Sequence, residues 1–187
     1  MSTTETPDTT ITGGALEAPA IEQVGRSTKL FTIVALIAII VGAGSVLGGI
    51  GGAVFTYQQA AVENISTPGD AAIAEAPVRG PMTMWAQSDI ITQHQLDRTE
   101  GLRYAEMERM VPQVDEVTGE AVIGEDGEPV MVENMDRLSW IDATSLTTVL
   151  NMGIMAYMLS LFAIVMGATV AGLGWVVLRL SRSPALV

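Results

Sequence analysis

The sequence predicts a mainly α-helical integral membrane protein. Two transmembrane helices form a helical hairpin, joined by an acidic extracytoplasmic segment that carries short helices and a β-hairpin. Three observations lead there. Residues 30–55 and 143–178 contain no Asp, Glu, Lys or Arg; the 87 residues between them hold 17 acidic and 5 basic side chains; and Lys or Arg stands just outside both apolar stretches. At a helical rise of about 1.5 Å per residue, the two stretches reach roughly 39 Å and 54 Å, against a hydrocarbon core of about 30 Å. A charge near the bilayer centre costs about 2.5–3.5 kcal/mol on insertion scales, so a span excludes it.

The elements follow in order. Residues 1–29 are rich in Thr, Glu, Pro, Gly and Ala without an aromatic residue, and read as a disordered cytoplasmic tail. Residues 30–55 form the first transmembrane helix. A signal peptide is the rival reading, but its apolar core would run only about 7–15 residues, so an uncleaved anchor is expected. Residues 56–142 form the extracytoplasmic segment, 143–178 the second transmembrane helix, and 179–187 a short cytoplasmic tail. Arg26 and Lys29 precede the first span and Arg179 and Arg182 follow the second, with Arg137 alone close by on the other side. The ends are therefore expected inside and the loop outside a plasma membrane.

Within the first span Gly44, Gly48 and Gly52 recur every four residues, beside Gly42, Gly49 and Gly51. The second span carries Ala163, Gly167 and Ala171 at the same spacing, with Ala168 and Gly172. Lipid offers little hydrophobic drive between helices, so small residues that admit close backbone approach are expected packing positions, against each other or a neighbour. Tyr57, Trp140 and Trp175 stand where interfacial aromatics belong.

The external segment changes texture along its length. Residues 56–81 read as an extended connector. A short amphipathic helix is expected from Ser88, with Ser88 as cap and Gly101 at its C-terminal end. Residues 103–110 add a turn or two before Pro112. Val114, Val117, Val122, Ile123, Val130 and Val132 surround Thr118-Gly119 and Asp126-Gly127, which predict an exposed β-hairpin. Residues 133–142 resume a helical pattern that runs into the second span.

Several chemistries lack their residues. The acidic balance disfavours nucleic acid, whose phosphates need Lys and Arg. With no cysteine and one histidine, His94, no thiolate site, disulfide or multi-histidine metal site can form. Thioethers can bind Cu(I), but Met152, Met155 and Met158 sit at helical spacing among apolar residues, where Met is packing. The acidic run 115–128 lacks a Ca²⁺-loop pattern. Neither span holds an ionisable relay for transport. No catalytic residue, cofactor or metal is expected.

The stretch Gly80-Pro81-Met82-Thr83-Met84-Trp85-Ala86-Gln87-Ser88-Asp89-Ile90-Ile91, then His94, then Gly101-Leu102-Arg103-Tyr104-Ala105-Glu106-Met107, resembles small two-helix membrane proteins of actinobacteria. That family is often labelled aromatic ring-opening dioxygenase, a label that one histidine and no facial triad leave without iron ligands. The resemblance covers residues 30–179 and is most specific over 86–106; residues 114–130 are an apparent insertion. The layout also looks like accessory subunits of the actinobacterial cytochrome bcc-oxidase supercomplex. The resemblance implies a non-catalytic accessory or scaffolding subunit whose partners are other integral membrane proteins, respiratory cytochrome subunits among them, and the lipid bilayer. A cell-envelope sensor whose acidic loop binds cations or a ligand is the alternative.

Overall fold

The computed structural model describes residues 18–182, with side chains from residue 29. It is mainly helical. Helix α1 runs Ala18–Val62 (45 residues), α2 Pro81–Arg98 (18 residues) and α3 Met135–Ser181 (47 residues). A 3-10 turn at Tyr104–Glu106 and a two-stranded antiparallel ladder, β1 Met110–Pro112 with β2 Met131–Glu133, lie between α2 and α3. α1 and α3 are the two helices long and apolar enough to cross a membrane.

Both long helices overrun the apolar stretches. α1 begins at Ala18, so residues 18–29, expected in a disordered tail, are helical; residues 1–17 lie outside the described residues. At its other end α1 continues through Tyr57 to Val62, because nothing from 56 to 62 breaks a helix. α3 starts at Met135, as the helical pattern of 133–142 implied. Asn134 caps it: its side-chain oxygen accepts the backbone N–H of Asp136 at 3.1 Å and of Arg137 at 3.2 Å.

α2 begins eight residues earlier than Ser88 as cap suggested, with Gly80 in the cap position. Pro81 occupies the first helical position, where its missing N–H costs nothing. The Thr83 hydroxyl accepts the N–H groups of Arg79 and Gly80, each at 3.2 Å. Ser88 is therefore buried mid-helix, its carbonyl accepting from the Thr92 hydroxyl. Gly101 does close the helix, with φ +83° and its N–H donated to Leu96 O at 2.8 Å.

The ladder pairs Met110 with Glu133, Val111 with Val132 and Pro112 with Met131. Beyond it, Val114 bridges Ala121 and Ile123 bridges Pro129, so the expected single hairpin is two successive tight turns. Gly119 and Gly127 take φ of +71° and +83° in them. The region is exposed, with Val117 94% accessible. Residues 63–80 are more ordered than a connector: Thr67 and Ala76 exchange hydrogen bonds, and Thr67, Ala71 and Val78 are buried.

The chain divides into two compact units. One combines α1 up to Ser45 with α3 from Met166; the other is Val46–Val165. In the first, a methyl group added at Gly42 would lie 2.5 Å from the Gly167 carbonyl oxygen and 2.8 Å from Ala171 Cβ. One at Gly174 would lie 2.8 Å from Ala35 O, and Ala35 is buried. In the second, Gly49 meets Ser160 O at 2.6 Å and Gly52 meets Ser160 Oγ at 2.9 Å on the same construction. Each unit thus holds its segments of α1 and α3 at backbone contact distance.

Candidate functional site

Two surfaces of Val46–Val165 and one of α1 carry the residues that the sequence singles out. On α2, Met84, Ser88 and Gln95 are buried and recur at helical spacing. Met84 Sδ lies 2.8 Å from where a Gly153 Cβ would stand, and Gln95 Nε2 donates to Ser139 Oγ at 2.5 Å and to Asp136 O at 3.3 Å. α2 therefore runs antiparallel along α3, from Gly153 back to Asp136. A methyl at 153 would displace only the flexible end of Met84.

Ala86, Ile90 and His94, four residues apart, form a second face of α2. Ala86 and Ile90 are buried, and His94 Nε2 pairs with Asp70 Oδ2 at 2.6 Å. The His94 contact, with Asp70's own backbone N–H, holds the Asp70 carboxyl below its usual range. Both side chains are exposed, so this is a surface pair rather than a desolvated acid–base dyad.

The remaining motif residues fall around these faces. Trp85 is exposed; Asp89 accepts from Gln93 Nε2 at 2.6 Å; Glu106 accepts the Arg103 N–H at 2.8 Å. Gln87 Oε1 is buried without a hydrogen-bond partner among the described residues. Arg137 lies over the Tyr104 ring at 3.7 Å and Arg103 over Trp140 at 5.7 Å. Trp140, expected at a membrane interface, is instead buried inside the external segment, where its indole finds the Leu102 carbonyl. Beside it Tyr104, Trp140, Ile141, Thr144 and Ser145 line an open recess of about 260 Å³, with no carboxylate, imidazole or amine. That lining suits apolar packing and supplies no nucleophile–base pair.

Tyr57, just past the first apolar stretch, and Trp175, within the second, are half exposed, each beneath an arginine: Arg79 is 6.0 Å from the Tyr57 ring and Arg179 4.8 Å from Trp175. Among the predicted packing positions, Gly167 and Ala171 lie against Gly42, and Gly52 lies against Ser160. Among the described residues, Gly44, Gly48 and Gly172 have nothing within 4 Å of an added methyl, nor does Gly51. Contact within the chain thus uses a different glycine face, Gly42 and Gly49, from the Gly44–Gly48 face that the four-residue spacing marks.

Sequence reasoning named Gly42 and Gly49 only beside the Gly44 series, and missed Gly153, Gln95 and Asn134. The last had a signal, an Asn just ahead of Asp136 and an apolar helical run. Among the described residues no three of His, Asp and Glu converge as metal ligands. In the acidic turn, Asp115 is engaged locally: the backbone N–H groups of Thr118 and Val117, each 2.9 Å from its Oδ1, hold its carboxyl below the usual range. No family model, curated protein or solved structure matches the chain.

Proposed function

We propose that this chain is a non-catalytic accessory or scaffolding subunit of a larger membrane protein complex, anchored in a plasma membrane by α1 and α3. The observation that carries the reading is the open face of α1. Gly42 and Gly49 are consumed in contacts with α3, yet Gly44, Gly48 and Gly51 keep a second glycine surface with nothing against it among the described residues. In hydrocarbon, helices associate through close backbone approach, and a second such surface suits a neighbouring transmembrane helix.

Membrane placement is supported by how little of the apolar surface the chain covers for itself. Only 11% of the most apolar window of each long helix is buried. A core helix of a soluble protein buries most of such a window, since leaving it in water forgoes about 25 cal/mol per Å². Arg26, Lys29, Arg179 and Arg182 support cytoplasmic ends and an external segment 56–142. The partners proposed are other integral membrane proteins, and the likeness in size and two-helix layout favours cytochrome subunits of an actinobacterial bcc-oxidase supercomplex.

Purification through a tag in mild detergent, read by mass spectrometry and a haem absorption spectrum, tests the proposal. The wild-type chain is expected to bring down a stoichiometric membrane partner. Gly44→Ile with Gly48→Ile is expected to lose it while leaving the chain's own fold intact, because among the described residues nothing lies within 4 Å of a methyl added at either position. A wild-type chain that runs alone overturns the reading.

A further inference from the structure

We infer that the outer edge of the hydrocarbon core meets this protein at Tyr57, Arg79 and Tyr157, and that residues 143–155 of α3, although free of charge, stand outside it. The inference rests on the membrane reading above and specifies which surface the lipid takes. By composition alone the second span would begin at Ala143.

The first argument is α2. It lies along α3 from Gly153 to Asp136; Asp89, half-exposed, stands between these two contacts, and Gln93, His94, Asp97 and Arg98 are exposed toward the Asp136 end. Acyl chains cannot surround α3 from Asp136 to the level of Asp89 without also surrounding these groups, and ionised groups in hydrocarbon are costly. That portion of α3 is therefore in the aqueous or headgroup region, and Ala143 lies within it.

The second argument is where the strap ends. Tyr157 Oη donates to the Arg79 carbonyl at 2.5 Å, and the Arg79 guanidinium lies over the Tyr57 ring. One cation, two phenol rings and the start of α2 thus meet at one level, with Trp85 and Met82 exposed on the first turns of α2 close by. Tyrosine and tryptophan with a snorkelling arginine are the side chains that suit a headgroup boundary.

The third argument is length. From Tyr157 to Arg179, α3 rises roughly 33 Å at about 1.5 Å per residue, which fits a hydrocarbon core of about 30 Å with a modest tilt. From Ala143 the same helix would rise roughly 54 Å, and only a steep tilt would contain it. Much of the excess lies where α2 runs beside α3, from Asp136 to Gly153. A charge-free sequence here marks two environments: lipid below Tyr157, and above it a helix that packs α2 on one side.

The chain has no cysteine, so single substitutions report accessibility without a background. The purified protein is reconstituted alone into phosphatidylcholine vesicles and frozen and thawed with a membrane-impermeant maleimide, so that both leaflets are reached. Val149→Cys and Met152→Cys, at positions 68% and 63% exposed, are expected to label within about threefold of a Val117→Cys loop control. Phe162→Cys and Val165→Cys, 61% and 54% exposed in the chain itself, are expected to label at least tenfold less. Protection of 149 and 152 to the level of 162 and 165 overturns the boundary and restores a span from Ala143. Labelling of 162 and 165 at the level of the loop control overturns the membrane reading itself. Two positions on each side, all on the exposed surface of α3, keep the outcome independent of one poorly folded variant.

Discussion

Trp140 Nε1 donates to the Leu102 carbonyl at 3.0 Å, and the same carbonyl accepts the Thr99 hydroxyl at 2.6 Å. One oxygen therefore ties the end of α2 to the start of α3, with Trp140 buried beneath Arg103. Trp140→Phe keeps most of the apolar volume and removes the donor; it is expected to destabilise Val46–Val165 by about 1 kcal/mol. Trp140→Ala opens a cavity and is expected to cost about 3–5 kcal/mol. Thermal melts in detergent, followed by circular dichroism, separate the two, and equal losses would show that the indole N–H is not the point.

The glycine faces of α1 differ in consequence. A methyl at Gly49 meets backbone at 2.6 Å and one at Gly42 meets backbone at 2.5 Å, whereas Gly44 and Gly48 are open. Gly42→Ala and Gly49→Ala are each expected to cost about 1–3 kcal/mol through overpacking. Gly44→Ala and Gly48→Ala are expected to be neutral or slightly stabilising, since Gly is about 1 kcal/mol poorer than Ala inside a helix. Melting temperatures of the four purified variants check the ordering.

Asn134 closes α3 at its external end. Besides accepting two helix N–H groups, it donates through Nδ2 to Glu108 O at 3.0 Å and is buried. Asn134→Ala is expected to lose about 1–2 kcal/mol and to speed amide exchange at Asp136 and Arg137. Asn134→Asp keeps the cap oxygen and should protect those amides while losing the Glu108 contact. Exchange rates read by mass spectrometry give the comparison.

The His94–Asp70 pair sets one acid-side dependence. Its contact with His94 depresses the Asp70 carboxyl below its ordinary value of 3.8, so the ionised form is favoured in the folded state. Asp70 therefore contributes fully above pH 3.8, and that contribution fades as pH falls through the lower folded value. Carboxyl carbon NMR is expected to place the Asp70 midpoint below 3.8, and His94→Ala is expected to move it upward. An unmoved midpoint in the variant would assign the depression to the loop backbone alone.

The parts of this fold that were legible in the sequence are those set by exclusion of charge. The stretches 30–55 and 143–178 lie within α1 and α3 because a helix buries its own backbone groups whatever surrounds it. Their ends were not legible: residues 18–29 and 56–62 have no breaker, so α1 continues past the apolar run in both directions. The start of α2 was misread because Ser88 satisfies a capping pattern, while Pro81 with Thr83 satisfies another earlier in the chain. Helical spacing also cannot choose a glycine face. Gly44 and Gly48 repeat as regularly as packing demands, yet Gly42 and Gly49, seven residues apart and on nearly the opposite side, meet α3. Trp140 looked interfacial by position, and only its pairing with Leu102, 38 residues distant, makes it core.

The partners of α2 are almost all made later than α2 itself. Met84 waits for Gly153, Gln95 for Ser139, the Leu102 carbonyl for Trp140 and the Arg79 carbonyl for Tyr157. During synthesis at about 5–20 residues per second, α2 is thus unpartnered for some seconds until α3 emerges. A product stopped before Met135 holds the whole of α2 with none of these contacts, a substrate for quality-control proteases. Completion of the last helix is therefore the step that makes the external segment durable.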